Sequence, residues 1–201
     1  MASSIKHELP PSLVPLTLEA GCDEAGCGCL AGPVYAAAVI LPEGFTHPLL
    51  NDSKQLTEKR REAMRHIIET EAVAWAVASA SAQEVDMYNV INASILAMHR
   101  ALDGLMAQGV TPELIVVDGN RFKPYRDIPY TTIVKGDSKL GNIAAASILA
   151  KTHRDELMRQ LALQCPGYGW EINKGYPTEA HRKAIMEIGL SQYHRLTFRS
   201  K

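Results

Sequence analysis

The chain has 201 residues, 46% hydrophobic and 21% charged, the composition of one ordinary globular domain and not of a disordered tail or a disulfide-stapled mini-protein. Its formal net charge of −1 is unevenly spread: residues 1–138 hold 11 Lys and Arg against 17 Asp and Glu, and residues 139–201 hold 10 against 5, so the first part suits cations and the second a polyanion. No stretch reaches the ~18 uninterrupted apolar residues of a membrane span, and MASSIKHELPPSLVPL lacks the apolar core of a signal peptide, so a cytoplasmic protein is expected.

In chain order, residues 16–26 (LTLEAGCDEAG) read as a strand entering a glycine turn, and residues 32–42 as a second, close enough to pair with it as an antiparallel hairpin. Leu56, Met64, Ile67 and Ile68 fall on one face of a helix that Thr57 would cap. Residues 72–81 read as a third strand, and a helix capped by Asn92 runs to Met106 and stops at Gly109. LIVVDGN (114–120) has the apolar run of a buried central strand, and YTTIVKGDS (130–138) reads as another. An alanine-rich amphipathic helix is expected from Asn142 to about Leu163, and a last helix near 178–188. Alternating strands and helices make the class α/β with a central sheet. Cys22, Cys27, Cys29 and Cys165 lack the spacing of a zinc site and read as reduced, packed thiols.

The chemistry is carried by acids. Asp23, Glu24, Asp118 and Asp137 each stand where an apolar strand gives way to a glycine turn: CDEAG, VDGN, KGDS. Ligands of open α/β sheets gather at such strand ends. Acids gathered there repel one another unless cations bind, and an all-oxygen donor set suits Mg²⁺ or Mn²⁺, not zinc. A pair of such ions can activate a water and stabilise a leaving phosphodiester oxygen. Asp at a turn is otherwise a common structural choice.

DEAGCGCLAGPVYAAAVI, NDSKQLT, VDGN, KGDSKLGNIAAASILAKTHRD, NKGYPTEAH and the closing YHRLTF resemble, in order and spacing, the motifs of the ribonuclease HII family from about Glu19 to Phe198. The resemblance implies a ribonuclease-H-like fold: a five-stranded mixed sheet flanked by helices, with a helical C-terminal extension. It implies a single domain spanning 1–201, with a catalytic core over about 16–164 and a substrate-covering part over about 165–201. It implies a hydrolase of DNA replication and repair that cuts the RNA strand of RNA–DNA hybrids and incises at single ribonucleotides in duplex DNA, leaving 5′-phosphate and 3′-hydroxyl ends. Two divalent ions, Mn²⁺ or Mg²⁺, would sit on Asp23, Glu24, Asp118 and Asp137, which are both metal ligands and catalytic residues. Asp23 would bridge the ions, Asp137 would complete the site of the attacking water, and Glu24 and Asp118 would hold the ion at the leaving oxygen. Gly26, Cys27 and Gly28 would meet the substrate through their backbone, and Tyr176 would pack on the sugar beside the ribonucleotide. Lys54, Lys174, His194 and Arg195 would contact phosphates.

The family's glycine–arginine–glycine loop here reads Gly26-Cys27-Gly28. Its alternative consequence is a catalytically weakened, nucleic-acid-binding member of the same fold, although all four acids remain. The sister ribonuclease HIII carries a substantial N-terminal domain, for which the 22 residues before Asp23 leave no room. A hydrolase of small phosphate esters is disfavoured by the basic C-terminal part. Residues 192–198 do not match a sliding-clamp peptide, and a monomer is expected.

Overall fold

The computed structural model describes residues 8–50 and 56–198. Five strands form one mixed sheet in the order β3-β2-β1-β4-β5: β1 Glu19–Ala25, β2 Val34–Ile40, β3 Ala74–Ala80, β4 Leu114–Asp118 and β5 Tyr130–Ile133. β1 and β2 make the expected antiparallel hairpin and β3 continues it, whereas β4 and β5 run parallel to β1. β4 is buried and central as its sequence predicts. β5 is a short, half-exposed edge strand that ends at Ile133, five residues before its expected limit. With no strand beyond it among the described residues, its threonines suffice and no continuous apolar run is needed.

Helices cover both faces, as alternation along each strand requires. Ala20 and Cys22 of β1 meet Ala97, Met98 and Leu102 of α3 (Val90–Ala107), preceded by α2 (Ala82–Tyr88). Ala25 faces the other way, toward α4 (Gly141–Gln164) and α1 (Glu58–Glu71). Thr57 caps α1 as expected, accepting from the Arg60 N–H. α3 begins earlier than its sequence suggests, because Asn89 and not Asn92 supplies the cap, accepting from the Ile91 and Asn92 N–H groups. A reciprocal Ser81–Glu84 capping box starts α2, a helix that sequence periodicity misses because it is only two turns long.

α4 is not the one-sided helix expected: residues 141–150 are buried all round. The strand face, the N-terminal segment and α1 enclose it together. Gly21 permits the approach, since a Cβ there would stand 2.2 Å from the Asn142 carbonyl carbon. Asn142 then stitches the layers, donating to the Glu19 carbonyl at 2.9 Å and accepting from the Leu41 N–H at 2.8 Å. A third cluster, including Met158, Leu161, Tyr168, Trp170 and Ala184, seats α5 (Trp170–Asn173) and α6 (Glu179–Ile188) on the end of α4. No helix among the described residues is long and apolar enough to cross a membrane.

Candidate active site

The parallel pairing of β1 with β4 places Cys22 beside Val117. One step further along, at the carboxyl ends, the neighbours are Asp23 and Asp118. Asp23 turns to the α4 face and is 5% exposed. Its carboxyl is pushed well above the usual carboxylate range, first by burial and then by the negative charges of Glu24 and Asp118. Bonds from Ser147 of α4 and from the Glu24 N–H, at 2.7 Å, oppose that rise. Asp118 accepts from the Gly136 N–H at 2.7 Å, which ties the end of β4 to the Gly136–Ser138 turn after β5. Asp137 follows in that turn and is 4% exposed.

Asp23, Glu24 and Asp118 line one cleft together with Gly26, Gly28 and Tyr176. Asp137 does not line that cleft; it is buried in the Gly136–Ser138 turn, next to the Gly136 N–H that bonds Asp118. Among the described residues no three His, Cys, Asp or Glu side chains already stand in an arrangement that could hold a metal ion. The chemistry of the donor set nevertheless fits a hard divalent cation: all four groups are carboxylates, and a cation is what would relieve the crowded charge that raises Asp23. Lys54 lies outside the described residues.

Three of the expected phosphate contacts are placed elsewhere. Lys174 is buried and its ammonium donates to the Glu171 carbonyl. His194 lies in an aromatic cluster beside Trp170 and Tyr168. Arg195, also buried, donates to the Gly32 carbonyl at 3.0 and 2.9 Å and to the Cys27 carbonyl at 2.9 Å. A basic side chain that satisfies backbone carbonyls in the interior is not available to a phosphate. The cations that do line the cleft are Arg61 of α1 and Lys151 of α4. Sequence reading gave neither a role, yet Ser147, Lys151 and Arg154 recur at helical spacing, which puts them on one face of α4 beneath the acids.

Arg154 is fully buried and holds two separate segments at once. It donates to the Pro33 carbonyl at 3.0 Å and the Ala31 carbonyl at 3.1 Å on one side, and to the Lys174 carbonyl at 2.9 Å on the other. Its guanidinium and the Lys151 ammonium stand 5.7 and 5.2 Å from the centre of the Tyr176 ring. Gly26, at φ +93°, must lack a side chain because a Cβ would reach within 2.0 Å of Arg154 Nε. At Gly28 a Cβ would meet nothing within 4 Å, so the backbone there is open to an approaching ligand. Burial pushes the Tyr176 phenol up to about 12.

Cys27, the residue that departs from the motif, turns inward. Its Sγ lies 3.1 Å from Ser94 Oγ and 3.6 Å from Glu24 Oε1, and burial pushes the thiol up to about 12. It is a neutral group at neutral pH. Cys22, Cys27, Cys29 and Cys165 are all free, as expected.

The family model described as ribonuclease HII matches residues 20–201. A protein of Bacteroides fragilis named ribonuclease HII is 60% identical over 190 residues, covering 94% of this chain and 93% of the relative. One of Parabacteroides distasonis with the same name is 61% identical over 181 residues, 90% of this chain and 89% of the relative. The crystal structure of ribonuclease H2 from Pyrococcus horikoshii superposes with a TM-score of 0.75 at 24% identity, over 90% of this chain and 94% of that one.

Proposed function

The chain belongs to the ribonuclease HII family, and from that premise we propose that it is an endonuclease that hydrolyses the RNA strand of RNA–DNA hybrids and incises at single ribonucleotides embedded in duplex DNA. The observation that carries this reading is one cleft in which Asp23, Glu24 and Asp118 face the Gly26–Gly28 loop and Tyr176. Acids at one wall and a glycine backbone with an aromatic ring at the other are what phosphodiester hydrolysis next to a 2′-hydroxyl needs.

Asp23, Glu24, Asp118 and Asp137 would hold two divalent ions, Mn²⁺ or Mg²⁺. Bound there, such ions supply an activated water and stabilise the leaving 3′ oxygen, so that the products carry 5′-phosphate and 3′-hydroxyl ends. The protein's own groups set the rest. Ser147 and the Glu24 N–H fix the Asp23 carboxyl, and the Gly136 N–H fixes Asp118. Arg61, and Lys151 with the donors left beyond its 2.8 Å ion pair to Asp155, offer positive charge to phosphates that would otherwise be repelled by the acids. The open face of Gly28 lets main-chain groups reach the 2′-hydroxyl, and the Tyr176 ring excludes water from the adjoining sugar.

A duplex of DNA with one ribonucleotide tests this directly. Incision on the 5′ side of the ribonucleotide with Mn²⁺ or Mg²⁺ is expected, with no cut in all-DNA duplex and none in EDTA. Cleavage of all-DNA duplex, or cleavage that persists in EDTA, would refute it.

A further inference from the structure

His181 and His194 face each other in the interior at the base of the Tyr176 loop, and neither has a part in the chemistry above. Trp170 Nε1 lies 3.0 Å from His181 Nε2. An indole N–H only donates, so Nε2 accepts and carries no proton. The proton of a neutral His181 is therefore on Nδ1, which lies 2.9 Å from the Tyr176 carbonyl and donates to it. Turning the ring over would set carbon atoms against both the indole N–H and that carbonyl. The second ring has the opposite tautomer: His194 Nδ1 accepts from the Ser191 N–H at 2.9 Å, leaving the proton on Nε2, which points at His181 Nε2 across 3.1 Å. His181 Nε2 shares its one lone pair between the Trp170 and His194 donors, and the direction of each bond follows from two backbone or indole N–H groups that can only donate.

Both rings are buried, 0% and 2% exposed. Burial lowers His181 and pushes His194 down to about 4, so both are neutral under working conditions. Tyr168 stacks on Trp170 at 5.0 Å and meets His194 edge-on at 4.8 Å, which prevents the rings from turning. What this network holds is a segment with no regular structure of its own. Residues 174–178 connect α5 to α6, and the Tyr176 carbonyl accepts only local help besides, from the Thr178 N–H at 2.8 Å. His181 sits in the first turn of α6, so its Nδ1–H locks the tyrosine's backbone to that helix.

We infer that His181 is a positioning residue for Tyr176, held as its Nδ1–H tautomer by Trp170 and His194, and that it sets where the Tyr176 ring stands in the cleft. The inference rests on the reading of Tyr176 as the residue that meets the sugar beside the ribonucleotide, and it assigns the reason that ring is held still.

Two measurements test it. In protein labelled with ¹⁵N-histidine, long-range ¹H–¹⁵N spectra at neutral pH are expected to show His181 protonated on Nδ1 and His194 on Nε2; a His181 protonated on Nε2 overturns the inference. Cleavage kinetics test the consequence. His181→Asn keeps an N–H donor near the place of Nδ1 and is expected to stay within about threefold of wild type on the single-ribonucleotide duplex. His181→Leu removes the donor at similar volume and is expected to lose about 10-fold in kcat/KM there, with a loss under about twofold in a Tyr176→Ala background. Equal losses in both backgrounds, or equal losses for Asn and Leu, overturn it. Should the Leu variant not fold, the Asn variant and the spectra still decide. Tyr176→Ala with unimpaired cleavage would refute the reading of Tyr176 itself, a result visible with both histidines intact.

Discussion

The two walls of the cleft are built by opposite electrostatic strategies. The sheet end gathers carboxylates of one sign, and burial together with those neighbouring charges pushes Asp23 well above the usual range. The facing wall holds its loops with cations and neutral rings set deep in the interior: Arg154 and Arg195 spend their donors on backbone carbonyls, and His181 and His194 pass neutral hydrogen bonds between a tryptophan and the tyrosine loop. Like charge that repels is an arrangement waiting for a ligand to relieve it. A buried donor satisfied by carbonyls has nothing left to offer a ligand and acts by fixing the backbone. One wall is thus equipped for chemistry and the other for position, and variants of the two should fail differently.

The largest effect is expected on the acidic wall. Asp118→Asn keeps the shape and the bond from Gly136 but removes a charge, and Asp23→Asn does the same beside it. Even groups that only orient metal ligands are worth about 10–100-fold, so at least ~100-fold loss of kcat is expected for each, with thermal stability unchanged or raised. The rise follows because Asp23 is destabilised by burial and then by its neighbours: a carboxyl whose folded value lies above its unfolded value opposes folding at neutral pH, and neutralising it removes that cost. Near wild-type cleavage by either variant would remove that residue from the site.

On the opposite wall Arg154→Met should act first on the fold. It strips three carbonyls of a buried donor, for which a loss of roughly 3 kcal/mol is expected, read as a lower midpoint in urea. Activity should fall through KM more than kcat, because the loop 26–33 and the segment before Tyr176 separate while the acids stay in place. A fall confined to kcat would break the division between the walls.

The acidic wall was legible in the sequence and the positioning wall was not. A strand end such as VDGN advertises itself, since an apolar run followed by Asp and Gly fixes both the element and where its acid emerges; KGDS lies past the end of β5, and Asp137 stands in the Gly136–Ser138 turn instead. The β1–β2 hairpin, the Thr57 cap and the placement of α4 could be read for similar local reasons. Lys174, His194 and Arg195 were expected at phosphates because a Lys, His or Arg in a basic segment looks like surface, and for Arg195 burial depends on carbonyls brought in from residues over a hundred positions away. Arg195 meets Gly32 and Cys27 only after folding. The sidedness of α4 failed for the same reason: whether a helix is covered on one face or all round is decided by what packs on it, and here the N-terminal segment and α1 do so.

Tyr176→Ala sharpens the comparison at smaller magnitude. Loss of about 10-fold in kcat/KM is expected on a duplex with a single ribonucleotide, and less on a long hybrid, where many registers offer a sugar in the right place. Measuring both substrates with one enzyme preparation separates a positional defect from general damage; equal losses on the two would assign Tyr176 to the fold alone.

Cys27→Arg should have the smallest effect on cleavage, and it probes where the walls meet. The cysteine's side chain faces Ser94 and Glu24, beside a cavity of about 200 Å³ that Asp118 and Arg121 also line, while its carbonyl is held by Arg195. Position 27 also lines the acidic cleft, and an arginine extended into it leaves the glycine backbone on either side as it is. There it adds one cation within reach of a phosphate. Binding of duplex, measured in Ca²⁺ to suppress cutting, should strengthen by about 10-fold at low salt, a charge-assisted bond being worth about 1.5–3 kcal/mol. The slope of log affinity against log salt should steepen by about 1, one released counterion. Cleavage by the natural chain should already be measurable, because the acids and the loop backbone do not depend on this side chain. An unchanged salt slope would mean that position 27 meets the substrate through its backbone only. A natural chain inactive at every enzyme concentration and rescued by arginine would mean that the positioning wall needs a charge of its own.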